Sequence, residues 1–356
     1  MPKSLRNIYD KKLNYIAFYK AHLRASNNKR NRKDVILFEM DLESNLMNLY
    51  NSIKNNTYHI GKYHQFIVRE PKLRIIQSLP YVDRIVHQWY VEEFIIPYIV
   101  PKFINDTYAC IKDKGTHKAV DKVQYYMRIM KRKYGQYYIL KCDIKKYFYN
   151  IDRNILYSIM HRHIGDKKLL SFTKMLITDS TDTKGIPIGN YTSQYFANIY
   201  LNELDHYVKE QLQIKYYVRY MDDFIILVKT KEEARQIKLE IMKYLESHLK
   251  LELNRKSKYY PNNMGVDFCG YRIFETHRIL RKRSKKKIRT LLSKATKDNQ
   301  LGILNQEKLL MQYNSWLAHA MHANSYNLIN KYNKIYNIDK LLELDNDNQN
   351  ETSKIV

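Results

Sequence analysis

Two adjacent aspartates, Asp222 and Asp223, sit between the apolar stretches Tyr217-Val218-Arg219-Tyr220 and Phe224-Ile225-Ile226-Leu227. The flanks read as two strands joined by a tight turn, which exposes two charges that neither strand could bury cheaply. Asp-rich hairpin turns are common, so the pair alone is ambiguous. A third aspartate, Asp143, closes another apolar strand, Tyr138-Ile139-Leu140, and is followed by Lys145, Lys146 and Phe148. Three carboxylates converging from neighbouring strands form the hard-oxygen set that magnesium takes. Two such ions, about 3.5–4 Å apart, would stabilise the attacking and leaving oxygens of an in-line phosphoryl transfer.

The rest of the sequence must supply a scaffold and a substrate. With 356 residues, 44% of them hydrophobic, the chain can bury a core and form one large domain or several sub-domains. Lysine and arginine outnumber aspartate and glutamate 62 to 36, a formal charge of +26 that attracts polyanions at long range. A lysine-rich protein from an AT-biased genome would share part of that excess. The 33 tyrosines could stack on bases or simply pack. Cys110, Cys142 and Cys269 are far apart, which argues against a zinc site or a disulfide framework and for a reducing cytosol. The N-terminus has no signal-peptide apolar region, and no apolar run is long enough to span a membrane, so a soluble cytoplasmic protein is expected.

Residues 1–60 read as basic amphipathic helices, with Ile8, Leu13, Ile16 and Phe18 on one and Leu42, Leu46, Leu49 and Ile53 on another. Residues 66–79 read as a hairpin, 137–142 as a strand, and 154–178 as helical. A loop at 185–189 leads into a helix with Thr192 and Ser193 as caps and Phe196, Ile199, Tyr200, Leu204 and Val208 on one face. Beyond residue 276 the chain turns strongly basic and helical, ending in a polar tail.

The block Tyr220-Met221-Asp222-Asp223 with apolar flanks resembles the catalytic hairpin of reverse transcriptases, and the family's other blocks follow in order. Residues 72–76 and 83–86 resemble the fingers block; Tyr108-Ala109 with 114–119 resembles the next. Residues 140–148 resemble the first palm aspartate block, and 185–194 the dNTP-pocket loop, continuing into 197–201. Residues 251–254 with Lys256, then 266–271, resemble the strand and turn of the primer grip. The resemblance covers about residues 65–325.

It implies an α+β right-hand polymerase: fingers, a palm with an antiparallel sheet, and a helical thumb. The implied segments are 1–105 (N-terminal helices and fingers), 106–155 (fingers and palm with Asp143), 156–184 (a helical fingers insertion), 185–275 (palm), 276–340 (basic thumb) and 341–356 (tail). Asp143 and Asp222 become the principal ligands of two Mg²⁺ ions, for which Mn²⁺ could substitute. Asp223 is the supporting carboxylate, and the main chain at Ile144 lies beside the triphosphate. Phe148 takes the steric-gate position that excludes a 2′-hydroxyl, with a core phenylalanine as the alternative. Arg74 and Lys72 would neutralise triphosphate oxygens, or else form a solvated strand face. Ile188, Gly189 and Gln194 line the dNTP pocket, and Phe268, Cys269, Gly270 and Tyr271 form the primer grip. Arg281, Lys282, Arg283, Lys285, Lys286, Lys287 and Arg289 would lie along phosphates of the template and product duplex, or form a solvated charge run.

Most relatives carry Gln after the Pro of the pocket loop and Pro after its Ser; this chain has Ile188 and Gln194. That variant resembles the reverse transcriptases of diversity-generating retroelements of bacteria and phages. These copy a template-repeat RNA into cDNA with errors opposite adenine, for mutagenic retrohoming. An aliphatic side chain in place of an amide removes a polar constraint on the incoming nucleotide, which explains general looseness but not the choice of adenine. The alternative is a neutral packing substitution. Ser315-Trp316-Leu317 and residues 322–326 look like the thumb of the same group. The implied partners are template-repeat RNA, the RNA/cDNA duplex, dNTPs and a small basic accessory variability protein. A faithful reverse transcriptase of a retron, group II intron-like or phage-defence system is the competing reading. The sequence ends at Val356 with no maturase-like or endonuclease extension expected, which weakens the intron form. A non-catalytic RNA-binding protein on this fold comes last, and a ribonucleotide polymerase conflicts with Phe148.

Overall fold

Trp89 is the hub of the N-terminal helices: its indole stacks on Phe18 with centroids 4.8 Å apart and meets Phe94 at 5.2 Å and Phe172 at 5.5 Å, both edge-on. Phe18 is presented by the helix Tyr15–Ser26, whose Ala17, Phe18, Ala21 and Ala25 share the buried face. Asn14 starts that helix by accepting from the Ala17 N–H at 2.9 Å. Ile16 departs from the expected pattern, being 63% exposed, because it lies two residues from Phe18 and so points to the other side of the helix.

The computed structural model describes residues 5–69, 73–178 and 182–342; Lys72 and residues 343–356 of the expected tail lie outside the described residues. Chain contacts divide it into two units, the first comprising Met1–Gly115, Leu140–Ile226 and Glu232–Lys258, the second Thr116–Ile139, Leu227–Lys231 and Tyr259–Val356. Among the described residues no helix is long and apolar enough to cross a membrane.

The first unit contains the expected hairpin as β1 (His64–Val68) and β2 (Arg74–Ser78), paired antiparallel with Val68 opposite Arg74. The helical stretch at 154–178 is two helices, Arg153–His163 and Lys167–Ile177. Asp166 breaks it, its carboxylate capping the second helix through the N–H groups of Lys168 and Leu169 at 3.1 and 3.2 Å. The helix after the pocket loop is Tyr191–His206, so Thr192 and Ser193 lie in its first turn rather than at its cap. Thr192 spends its hydroxyl on His87 Nδ1 at 2.7 Å instead.

A four-stranded sheet runs in the order β4-β5-β3-β6, where β3 is Tyr138–Asp143, β4 Tyr217–Tyr220, β5 Asp223–Val228 and β6 Lys258–Pro261. In the second unit β7 (Val266–Phe268), β8 (Tyr271–Ile273) and β9 (Arg278–Leu280) form an antiparallel sheet. The helix Thr116–Tyr134 is tied to it by Gln124 Nε2 and Arg128 Nε, which donate to the carbonyls of Phe274 and Glu275 at 3.0 and 2.8 Å. Strand β9 was not expected, since three residues inside a basic run carry too little alternation to read as a strand. The helices Lys282–Gln300, Gln306–Met321 and Tyr326–Tyr336 pack around Ile288, Leu292, Leu309, Tyr313 and Tyr332. The fold class is α+β, helices combined with antiparallel sheets.

Candidate active site

Strands β4 and β5 pair from Tyr217 opposite Ile226 to Tyr220 opposite Asp223, leaving Met221 and Asp222 as a two-residue turn. Only one of the adjacent aspartates is therefore in the turn; Asp223 begins a strand, facing the opposite way from Phe224, which is fully buried. Met221 has φ 55°, a left-handed conformation that a non-glycine residue holds at a cost.

The turn is fastened to β3 because the Ile144 N–H donates to the carbonyl of Asp222 at 3.3 Å. Asp143 is held by the segment after the helix Lys231–Leu249. Its Oδ2 accepts from Asn254 Nδ2 at 2.9 Å, its carbonyl from Asn254 N at 2.7 Å, and its N–H donates to Ser257 Oγ at 3.1 Å. Ile144 itself is buried, bridged antiparallel to Leu253, so it offers main chain rather than side chain.

Asp223 Oδ2 lies 3.1 Å from Lys141 Nζ, while its Oδ1 is buried without a hydrogen-bond partner. Burial pushes its carboxyl up to about 6; Lys141 opposes the rise, and the charges of Asp143 and Asp222 add to it. The three aspartates expected from sequence are thus electrostatically coupled in one place. Among the described residues, however, no three His, Cys, Asp or Glu side chains form a metal-holding group. Lys141 engages the third carboxylate. What remains, two carboxylates and adjacent main-chain oxygens, suits magnesium, which commonly takes one or two protein carboxylates and completes its octahedron with water and substrate phosphate.

On the loop side, main-chain bonds gather the expected pocket residues. Ile186 N donates to the Phe148 carbonyl at 2.9 Å, Gly185 N to Ile151 O at 2.8 Å, and Gln77 N, on β2, to Ile188 O at 2.8 Å. Gly185 (φ 82°) lies against the Tyr149 carbonyl, where a Cβ would stand 3.3 Å away. Phe148 is half-buried, its ring edge-on to Tyr147 with centroids 5.7 Å apart. Arg74 is exposed on β2, and Gln194 is exposed on the first turn of its helix. Beside the loop a cavity of about 240 Å³ is lined by Arg24, Lys29, Arg84, Gly189, Asn190 and Gln194, among others.

The remaining candidates belong to the second unit. Cys269 and Gly270 form the β7–β8 turn, with φ 44° and 92°. Phe268 and Tyr271 are fully buried, so this turn can present main chain and Cys269 but not those two rings. Tyr271 Oη instead bonds the Nδ1 and carbonyl of His319, each at 2.8 Å. Arg281 immediately precedes the helix Lys282–Gln300, and Lys282, Arg283, Lys286, Lys287 and Arg289 are exposed around its first two turns, with Lys285 half-buried. Cations at a helix N-terminus oppose its dipole, so helix stability does not account for this cluster.

Sequence reasoning missed Lys141, Ser257 and Arg219. The last was visible as a lone arginine inside an apolar strand; it is fully buried and bidentate to Asp205.

The family described as reverse transcriptase (RNA-dependent DNA polymerase) matches residues 54–273. Protein YkfC of Escherichia coli is 27% identical over 220 residues, which cover 50% of this chain and 56% of YkfC. Group II intron-encoded protein LtrA of Lactococcus lactis is 23% identical over 307 residues, covering 65% of this chain and 50% of LtrA. This chain therefore spans about half the length of these curated relatives. A telomerase from Candida albicans, solved with a TWJ fragment of telomeric RNA, aligns with 83% of this chain and 64% of its own at 12% identity and a TM-score of 0.46.

Proposed function

The chain belongs to the reverse transcriptase (RNA-dependent DNA polymerase) family, and from that premise we propose that it extends a primer with dNTPs on an RNA template. The observation that carries this reading is the Asp222 turn fastened through Ile144 to the strand that ends in Asp143. Asp143, Asp222 and the main chain at Ile144 would hold divalent magnesium, with Asp223 in support. Bound there, magnesium supplies charge stabilisation at the attacking and leaving oxygens. The primer 3′-hydroxyl would lose its proton to solvent as its oxygen bonds to the α-phosphorus, the bond from that phosphorus to the oxygen bridging the β-phosphate would break, and pyrophosphate would leave.

The chain's own groups do the rest. Arg74, with Lys72, neutralises triphosphate oxygens, and Phe148 excludes a ribose 2′-hydroxyl. Gly189 lets the loop approach β2 closely. Arg24, Lys29 and Arg84 offer charge to template phosphates beside the loop. The Cys269-Gly270 turn supports the primer, and the basic helix from Arg281 to Arg289 follows the duplex, giving residues 1–105, 106–155, 156–184, 185–275 and 276–340 their fingers, palm and thumb roles.

The finer reading is error-prone copying of a template-repeat RNA, carried by Ile188 and Gln194 in the pocket loop and including an accessory variability protein as partner. A second reading, a faithful intron-type enzyme, is favoured by the 23% identity to LtrA. Sequencing cDNA made from an RNA template with Mg²⁺ and dNTPs separates them: errors concentrated opposite adenine support the first, uniform fidelity the second. Absence of any cDNA, with the accessory protein supplied, would remove both.

A further inference from the structure

We propose that Arg219 is a positioning residue that sets the Asp222 turn and thereby the divalent-cation affinity of the site; this rests on the polymerase reading above. Arg219 is fully buried. Its Nε and Nη2 donate to Asp205 Oδ1 and Oδ2 at 2.7 and 2.6 Å, a bidentate fork. The remaining nitrogen, Nη1, donates to Asn198 Oδ1 and to the carbonyl of Met221, each at 3.0 Å. Met221 is the residue at φ 55° that precedes Asp222.

Each bond in this arrangement has a geometric consequence. Asp205 also accepts from Thr107 Oγ1 at 2.8 Å and Tyr217 Oη at 2.6 Å, so its carboxylate is fixed from four directions and cannot follow the guanidinium if it moves. The Arg219 main chain is pinned as well, its N–H donating to Asp106 O at 2.9 Å and its carbonyl accepting from Tyr108 N at 3.1 Å. With both ends fixed, Nη1 holds the peptide between Met221 and Asp222 in one orientation. That peptide is followed by the Asp222 carbonyl, which takes the Ile144 N–H beside Asp143. Asp205 and Asn198 both lie on the helix Tyr191–His206, so Arg219 also ties the helix after the pocket loop to the catalytic turn.

A buried ion pair is weak evidence for stabilisation, since a well-packed apolar pair of similar size is often as stable. A bond from the same buried cation to a strained turn carbonyl is better explained by orientation. Lysine keeps the charge but lacks the planar fork whose separate nitrogens span Asp205 and Met221.

The test is Mn²⁺ binding to the full chain, read by the electron paramagnetic resonance of free ion, alongside thermal melting. Arg219→Lys, or the apolar pair Arg219→Met with Asp205→Leu if the first variant does not fold, is expected to melt in one cooperative transition, at a lower temperature than the wild type, and to bind Mn²⁺ about tenfold or more weakly well below that temperature. In an Asp222→Asn background, Arg219→Lys should add no further loss. A folded variant with wild-type Mn²⁺ affinity overturns the proposal. If wild-type binding is itself insensitive to Asp222→Asn, the polymerase reading falls and this proposal with it.

Discussion

The N–H of Gln77 donates to the carbonyl of Ile188 across 2.8 Å, joining the last part of β2 to the pocket loop. The next loop residue, Gly189, has φ 136°, and a Cβ there would stand 2.5 Å from the Gln77 carbonyl oxygen. Gly189→Ala should therefore force loop and strand apart. A displacement of that kind disorders substrate positioning, so the KM for dNTPs is expected to rise about tenfold or more. Steady-state extension kinetics check it, and an unchanged KM would show that the contact does not shape the pocket.

Phe148 is half-buried and its carbonyl is already bonded to Ile186 N, so shortening its side chain leaves the main-chain clamp in place. Phe148→Val should admit ribonucleotides, lowering discrimination against rNTPs by roughly 10²-fold at modest cost in melting temperature. Competition between dNTP and rNTP in single-nucleotide extension measures this.

Ile188 offers its carbonyl to Gln77, and its side chain is aliphatic where the proposed dNTP pocket of most relatives carries an amide. Ile188→Gln keeps the main-chain bond and restores an amide, so misincorporation on an RNA template should fall. Deep sequencing of the cDNA reads the change, and an unaltered error spectrum would mark Ile188 as a packing substitution.

His87 is buried, and that burial pushes its imidazole down from 6.5 to about 3. The folded protein keeps it neutral while the unfolded chain takes up a proton below the ordinary value. Stability should thus fall as pH drops below 6.5, by about 1.4 kcal/mol per pH unit from this group, until the pH nears its folded value. His87→Gln should flatten the melting-temperature profile between about pH 6 and about pH 4 relative to wild type. Parallel profiles would contradict the assignment.

Much of this was legible in the sequence because the informative residues are punctuated by strong local signals. The apolar flanks of Asp222 and Asp223, and the apolar run before Asp143, pointed to the three strands; short apolar runs bounded by a turn signal suffice for strands of that length. The split of Asp223 from the turn was not legible, since register depends on the pairing of Tyr220 with Asp223 rather than on composition. The same holds for Lys141 beside Asp223, Asn254 on Asp143 and His319 on Tyr271, which are contacts across 82, 111 and 48 residues of chain. Within the expected primer-grip segment, the inward direction of the Phe268 and Tyr271 rings was likewise not legible, since it depends on which face of β7 and β8 packs on the core.

The most direct test is extension of a DNA primer on an RNA template by wild type and by Asp222→Asn, with template binding measured in parallel. Mg²⁺-dependent cDNA is expected from the wild type, with a loss of roughly 10³-fold or more in the variant and unchanged RNA affinity. Retained synthesis by Asp222→Asn, or RNA binding without Mg²⁺-dependent synthesis by the wild type, would contradict the polymerase reading.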